Sequence, residues 1–321
     1  MARDNKLDTL KGLLIILVIL GHAIQTIDAG NFVNHCAMGF IYMFHMPLFT
    51  LISGYLTKSR EQEPPRVMWR RILDIAATLL MFQAISVFWV WIDGGNYIRA
   101  AKSFPFGVLW YLLSMIYWRI LIYYSPKALR DRPAIYLGIA LLISVLIGFT
   151  RMGNLLTIQR AISYYPYFLL GYFYRQGVLN KQWWHNNKLH AAVSVVLLAV
   201  IFWFFPASGN VMNGADHYDI SRVPEKLTIL ACSTAMCLFL FNVIRDVKIL
   251  RVIGKDSMFY YLYHIFLVCY VLYNIVKIYD IPCTFPFMVL YTGIITLVLY
   301  LLSKIKFLQW LTHPTRRLQR H

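Results

Sequence analysis

Long apolar runs separated by short polar segments set the pattern of this chain. Ten such runs stand out, at about 12–27, 38–56, 72–92, 108–124, 133–150, 162–175, 189–206, 227–244, 257–276 and 285–303. A hydrocarbon core about 30 Å thick is spanned by about 20 apolar residues in helix. The runs are too long for barrel strands and do not alternate with period two, so the pattern predicts membrane-spanning helices. The first run has the position of a signal peptide but no small-x-small cleavage site. A second apolar run follows at once, and the first is therefore read as a helix. The sixth is the shortest and the most aromatic.

The basic residues give the direction of threading. Ten crossings put both termini on one side. With the N-terminus inside, 23 of the 31 Lys and Arg fall on inside segments, seven on outside segments, and Arg119 within a span. That asymmetry is the positive-inside pattern. The expected fold is an all-α polytopic membrane bundle of about ten transmembrane helices with both termini cytoplasmic, forming a single domain over 1–321. Composition agrees: 59% of residues are hydrophobic and 14% charged, with mean hydropathy +0.57, whereas soluble domains carry about 25% charged residues. The net charge of +17 is thereby read as topology, and nucleic acid is excluded as a partner. Cys36, Cys232, Cys237, Cys269 and Cys283 are odd in number and lack metal-type spacing, so neither a disulfide framework nor a zinc site is read. The longest outside loop, 207–226, holds Gly209, Gly214, Asp216, His217 and Asp219 and reads as a connector, with the His217–Asp219 cluster too sparse for a metal.

Ionisable groups inside spans suggest function. Lys11 opens the first run, and His22 lies about 16 Å deeper on nearly the same face. His45 lies about 20 Å above the cytoplasmic Lys58, and His264 about 14 Å above Lys255. Three histidines on three helices thus reach similar depths, and an imidazole titrates near neutrality, as a general base must. The histidines lack the i,i+3 or i,i+4 pairing of a metal site, and no metal is assigned. A second cluster runs between helices 2 and 3: Lys58, Arg60, Arg66, Arg70 and Arg71. Arg66 and Arg70 share a face if helix 3 starts early. Guanidinium groups suit phosphates, and lipid headgroups offer the same chemistry as a bound ligand. Lys255 and Ser257, at the entrance to helix 9 beneath His264, are candidates for the same phosphate site.

Several blocks are similar to those of a known family. Asp8-Thr-Leu-Lys11-Gly runs into Gly21-His22, and Phe44-His45-Met-Pro47-Leu-Phe49 runs into Ser53-Gly54-Tyr55. Trp110-Tyr-Leu, Tyr165-Pro166-Tyr-Phe168-Leu-Leu-Gly171 and Gly254-Lys-Asp-Ser257 through His264 follow in order. Together, over residues 8 to about 265, they resemble the acyltransferase 3 family of integral membrane acyltransferases, in its fucose 4-O-acetylase-like branch. The resemblance implies a ten-helix bundle that takes an acyl group, usually acetyl, from cytoplasmic acyl-CoA and delivers it to a hydroxyl of a sugar or glycan. The family's arginine, ten residues and catalytic histidine map to Lys11 and His22, with lysine in place of the commoner arginine. Its arginine-rich loop maps to Arg66, Arg70 and Arg71, whose spacing departs from Arg-x-x-Arg.

Acyl transfer to an alcohol requires a base, an oxyanion stabiliser and a held thioester. The residues assigned to catalysis are His22, Lys11, His45 and His264. Arg66, Arg70, Arg71, Lys255 and Ser257 are assigned to the acetyl-CoA phosphates. Ser53, Trp110, Arg160, Tyr164, Tyr165 and Tyr261 are assigned to the acceptor or the oxyanion. Lys11 is expected either to bind phosphate or to pair with Asp8. Direct attack and an acyl-imidazole on His22 fit the residues equally. The other reading is a proton-coupled secondary transporter of a small polar solute, in which the histidines relay protons. The expected location is the bacterial cytoplasmic membrane, an assignment that leans on the family resemblance; the sequence does not indicate an oligomeric state.

Overall fold

The computed structural model describes residues 4–27, 31–179, 181–204, 217–281 and 283–315. Gly209, Gly214 and Asp216 of the long outside loop, and the terminal cations Arg3, Arg316, Arg317 and Arg320, lie outside the described residues. Among the described residues every regular element is a helix. The principal helices are α1 (Asn5–Ile27), α2 (Phe32–Tyr55), α3 (Pro65–Ile92), α4 (Trp110–Tyr124), α5 (Pro133–Leu146), α6 (Ile158–Arg175), α7 (Asn187–Phe204), α8 (Val223–Val243), α9 (Lys248–Lys255), α10 (Ser257–Tyr279) and α11 (Phe285–Leu302). Each of the ten predicted runs coincides with one of them, and α9 is an additional short helix. Among the described residues eight helical segments are long and apolar enough to cross a membrane.

The remaining two runs are α5, whose apolar helix extends to Phe149, and α6. Helix α6 is 18 residues long, and nearly every side chain from Gln159 to Phe173 is buried. A helix enclosed by protein needs no lipid-compatible surface, which is why its sequence is aromatic and polar rather than aliphatic. Several helices begin earlier than their apolar runs. The start of α1 at Asn5 places Lys11 inside its second turn, and the start of α3 at Pro65 places Arg66 in its first. Polar first turns of this kind emerge from the hydrocarbon, where hydropathy alone does not register them.

The chain divides into two compact units, one from Met1–Phe49 and Leu240–Thr312, the other from Thr50–Phe239 and His313–His321. The first holds α1, most of α2, and α9 to α11. Its core joins Ile15, Ile19 and Ile24 of α1 to Val268 and Leu272 of α10 and to Met288, Ile295 and Leu299 of α11. Helix α9 lies against α1 where Gly12 meets Gly254: a Cβ on either glycine would overlap backbone of the other helix. Such small-residue contacts let helix backbones approach closely. Thr9 Oγ1 accepts from Val247 N–H at 3.2 Å, fixing the start of α9, and Lys6 Nζ donates to the Asn242 carbonyl at 2.9 Å at the end of α8. Within α10, a π-helical stretch at Leu267–Leu272 begins just after His264.

The second unit holds the last turn of α2 and helices α3 to α8. Here Gly54 of α2 and Gly171 of α6 form a similar crossing: a Cβ on Gly54 would overlap the Phe168 carbonyl, and one on Gly171 the Leu51 carbonyl. Helix α6 is held to α4 by Trp118 Nε1 donating to the Ala161 carbonyl at 2.7 Å, and to α5 by Ser144 Oγ donating to the Ser163 carbonyl at 3.2 Å.

Candidate active site

In the first unit the three predicted histidines come together. The rings of His22 and His264 lie 5.3 Å apart, centroid to centroid. Tyr42 also neighbours His22, at 6.5 Å, and in turn lies 4.9 Å from His45. The Tyr42 hydroxyl donates to Gln25 Oε1 at 2.8 Å. Tyr42 and Gln25 were not among the residues assigned from sequence. The available signal was spacing: Gln25 stands three residues after His22, and Tyr42 three before His45, so each shares a helix face with its histidine.

Hydrogen bonds define the state of two of these rings. His45 Nδ1 lies 2.7 Å from the Ile41 carbonyl, and His264 Nδ1 lies 3.0 Å from the Tyr260 carbonyl. A carbonyl only accepts, so Nδ1 carries the proton in both neutral rings and Nε2 keeps the lone pair. His45 is 4% exposed and His264 wholly buried, and His264 Nε2 has no hydrogen-bond partner among the described residues. A buried lone pair left unmatched beside another imidazole is costly unless a proton or a ligand completes it. Among the described residues no group of three His, Cys, Asp or Glu side chains is disposed to hold a metal ion.

Nearer the basic side of this unit, Lys11 Nζ pairs with Asp8 Oδ1 at 2.7 Å, one turn away on α1. Of the two roles expected for Lys11, the structure shows the carboxylate contact. Lys255 is exposed at the end of α9 and Ser257 opens α10. The Tyr261 ring lies 6.4 Å from that of His264.

In the second unit Arg66 and Arg70 are exposed on the first turns of α3, whereas Arg71 reaches back to Glu63, with Nη1 at 2.7 Å from Oε1. Glu63 is 3% exposed. Arg119, within α4, has Arg71, Glu63 and Tyr111 as its electrostatic neighbours. Ser53 Oγ is 2.8 Å from the Tyr111 hydroxyl, so Ser53 is already matched within its own unit. Trp110 stacks with Tyr164 at 5.5 Å, and the Arg160 guanidinium lies 5.3 Å from the Trp110 ring centre. Tyr165 faces elsewhere: its hydroxyl is 2.7 Å from that of Tyr136 on α5. The structure therefore groups Trp110, Arg160 and Tyr164 and separates Tyr165 from them.

Against known proteins, a family model described as an acyltransferase domain matches residues 4–304. Nodulation protein NolL of Sinorhizobium fredii (strain NGR234) is 53% identical over 57 residues, 17% of this chain and 16% of that protein. Nodulation protein NolL of Mesorhizobium japonicum is 27% identical over 216 residues, 62% of this chain and 54% of that protein. The chain thus spans about half, or less, of the length of the curated relatives it matches. No solved structure matches it. With the family's domain running through both units, this multi-pass membrane protein belongs to the acyltransferase 3 family.

Proposed function

We propose that the protein is a membrane-bound O-acyltransferase that moves an acetyl group from cytoplasmic acetyl-CoA to a hydroxyl of a sugar or glycan, with both units working as one domain over 1–321. The observation that carries this reading is the 5.3 Å pairing of His22 with His264, whose Nε2 lone pair is buried and unmatched. His22 takes the proton of the acceptor hydroxyl as its oxygen attacks the thioester carbonyl. The imidazolium so formed is stabilised by the neutral ring of His264. The tetrahedral oxyanion collapses with loss of the coenzyme A thiolate, which takes up the proton held by His22, leaving an ester and free thiol. Tyr42, His45 and Tyr261 surround this step as orienting groups and hydrogen-bond donors.

Each unit by itself carries candidates for the donor phosphates: Arg66, Arg70 and Arg71 in the second, whose guanidinium groups suit phosphates, and Lys255 and Ser257 in the first. Arg66 and Arg70 make no ion pair among the described residues, which leaves both free for an anion. Lys11, paired with Asp8, keeps a buried carboxylate matched at the start of the catalytic helix. Trp110, Arg160 and Tyr164 are assigned to the acceptor, and a bacterial cytoplasmic membrane suits an acetyl-CoA donor.

Calorimetric titration of acetyl-CoA into detergent-purified protein tests this reading. Wild type and His22→Ala bind, Arg66→Ala/Arg70→Ala loses affinity, and only His22→Ala loses transfer to glycan while binding is kept. A folded wild-type protein that binds no acetyl-CoA removes the acyl-donor assignment.

A further inference from the structure

The second unit carries a cation within an apolar helix that the reaction scheme leaves unused. Arg119 lies in α4, five residues and about 8 Å from the cytoplasmic end of that helix at Tyr124. It is half-buried and takes part in no hydrogen bond or ion pair among the described residues. An ionisable group at this depth is costly, and its default reading is functional.

The surroundings of Arg119 follow from the helix. Tyr111, Met115, Arg119 and Tyr123 stand four residues apart and form one ridge along α4. On the outer side of Arg119, Ser53 Oγ lies 2.8 Å from the Tyr111 hydroxyl and 3.8 Å from Met115 Sδ. On the cytoplasmic side, the Tyr123 hydroxyl donates to the Glu63 carbonyl at 3.4 Å. The ridge therefore faces the stretch from Ser53 to Glu63 that leads from α2 into α3, with Arg119 between the two contacts. Met68 and Ile72 of α3 pack with Tyr123, Ile116 and Ile120 of α4, which brings Arg71 to the same place. The electrostatic neighbours of Arg119 are accordingly Arg71, Glu63 and Tyr111.

Positive charge is in excess here. Glu61 is taken by Arg130, Nη2 to Oε1 at 3.2 Å, and the Arg60 guanidinium lies 5.6 Å from the Tyr123 ring centre. Of the two carboxylates between α2 and α3, Glu63 is the one left to Arg71 and Arg119. Its contact with Arg71 is one of charge alone: Nη1 comes within 2.7 Å of Oε1, yet Oε1 is buried without a hydrogen-bond partner among the described residues. The N–H donors of both guanidinium groups thus remain uncommitted. Two cations sharing one poorly matched carboxylate repel each other, whereas a phosphate accepts paired N–H bonds from both.

We propose that Arg71 and Arg119 are the ligands of a phosphate site in the second unit, and that Glu63 is the internal anion that holds them together until a phosphate takes its place. The site lies deeper than Arg66 and Arg70, which are exposed on the first turns of α3. The source of the phosphate rests on the acyltransferase reading; the anion site itself does not. The pyrophosphate of the donor adjoins its pantetheine arm and enters the deeper site, and the ribose phosphate stays at Arg66 and Arg70. An anionic lipid headgroup offers the same chemistry, and the test separates the two.

Full-length protein in non-ionic detergent is titrated by calorimetry with four probes. These are coenzyme A, dephospho-coenzyme A (which lacks the ribose phosphate), inorganic pyrophosphate and dihexanoyl phosphatidylglycerol. Arg119→Met is expected to weaken coenzyme A and dephospho-coenzyme A alike, by about tenfold or more, the weight of hydrogen bonds to a charged group. Arg66→Ala/Arg70→Ala should weaken coenzyme A and leave dephospho-coenzyme A nearly unaffected. Glu63→Gln should tighten both ligands severalfold while lowering the melting temperature of the ligand-free protein, so that binding and folding move in opposite directions. Unchanged affinity in Arg119→Met, or a loss confined to coenzyme A, overturns the proposal. If Arg119→Met does not fold, Glu63→Gln decides alone, and binding no tighter than wild type overturns it. Binding of phosphatidylglycerol alone assigns the pair to a lipid headgroup and overturns the donor site, and no binding of any probe overturns the site altogether. Pyrophosphate binding that depends on Arg119, without binding of coenzyme A, would instead strike the transferase reading and leave the anion site standing.

Discussion

His22 and His264 come from opposite ends of the chain, yet their rings lie 5.3 Å apart, and the second holds its proton on Nδ1 against the Tyr260 carbonyl. The Nε2 lone pair of His264 is thereby kept beside the ring that the transferase reading makes the base.

If that lone pair stabilises the charged form of His22, His264→Ala should slow transfer by about a hundredfold, the low end of acid–base contributions. Acetyl-CoA affinity should be unchanged. The separating measurement is the pH profile: loss of a neighbour that stabilises imidazolium shifts the rising, acidic limb of the rate to lower pH. A uniform fall at every pH would assign His264 to packing.

The arginines after α2 differ in their surroundings, so their substitutions should differ in kind. Arg66→Ala and Arg70→Ala remove exposed guanidinium groups and should weaken acetyl-CoA binding without lowering the melting temperature. Arg71→Ala should do both, because it strands Glu63, which is 3% exposed. The stability cost is about 1 kcal/mol, at the low end for an unmatched buried acceptor because the guanidinium is partly screened. Calorimetry and thermal unfolding on the same samples separate the two effects.

Glycines that look alike in sequence should behave oppositely. Gly12→Ala and Gly254→Ala force a Cβ into facing backbone and are expected to cost about 1–3 kcal/mol or more. Gly138→Ala and Gly293→Ala meet nothing within 4 Å and sit in helices, where alanine is favoured by about 0.5–1 kcal/mol. Detergent melting curves of the four variants should therefore fall on both sides of wild type.

Acid sensitivity has a local contributor in Glu61, between α2 and α3. Its own backbone N–H holds the carboxyl below the ordinary 4.5, with help from Ser59, Arg130 and Lys127 and against partial desolvation. A depressed carboxyl stabilises the fold above its ordinary pKa and loses that contribution as pH falls through the folded value. Glu61→Gln should flatten the melting profile below pH 4.5. The change is a few tenths of a kcal/mol, since the group is largely exposed.

Much of this architecture was legible in the chain because the bilayer imposes it. Hydrocarbon thickness and the sidedness of Lys and Arg mark the ten runs that became α1 to α8, α10 and α11, and depth arithmetic along single helices brought His22, His45 and His264 together. What escaped depends on neighbours. Helix α9 is short and amphipathic, and only its contact with Gly12 distinguishes it from a loop. Tyr42 and Gln25 gain meaning from facing His22, and Tyr165 loses its expected place because Tyr136 claims its hydroxyl. Lys226 reads in sequence as one more outside cation; that it is only 4% exposed is a property of the packed unit.

The π-helical stretch at Leu267–Leu272 has a bearing on how relatives should be compared. A π turn amounts to an α-helix carrying one additional residue, and each residue turns the chain by about 100°. Residues up to His264 and those from Tyr273 onward therefore follow two different phases of the same helix. A relative that lacks the extra residue should align to this chain only with a one-position gap after its histidine. Deleting one residue from the stretch here should convert it to α-helix and leave both His264 and the side chains beyond the stretch on their present faces. Insertion and deletion, rather than substitution, are the changes to which this part of the molecule is tuned.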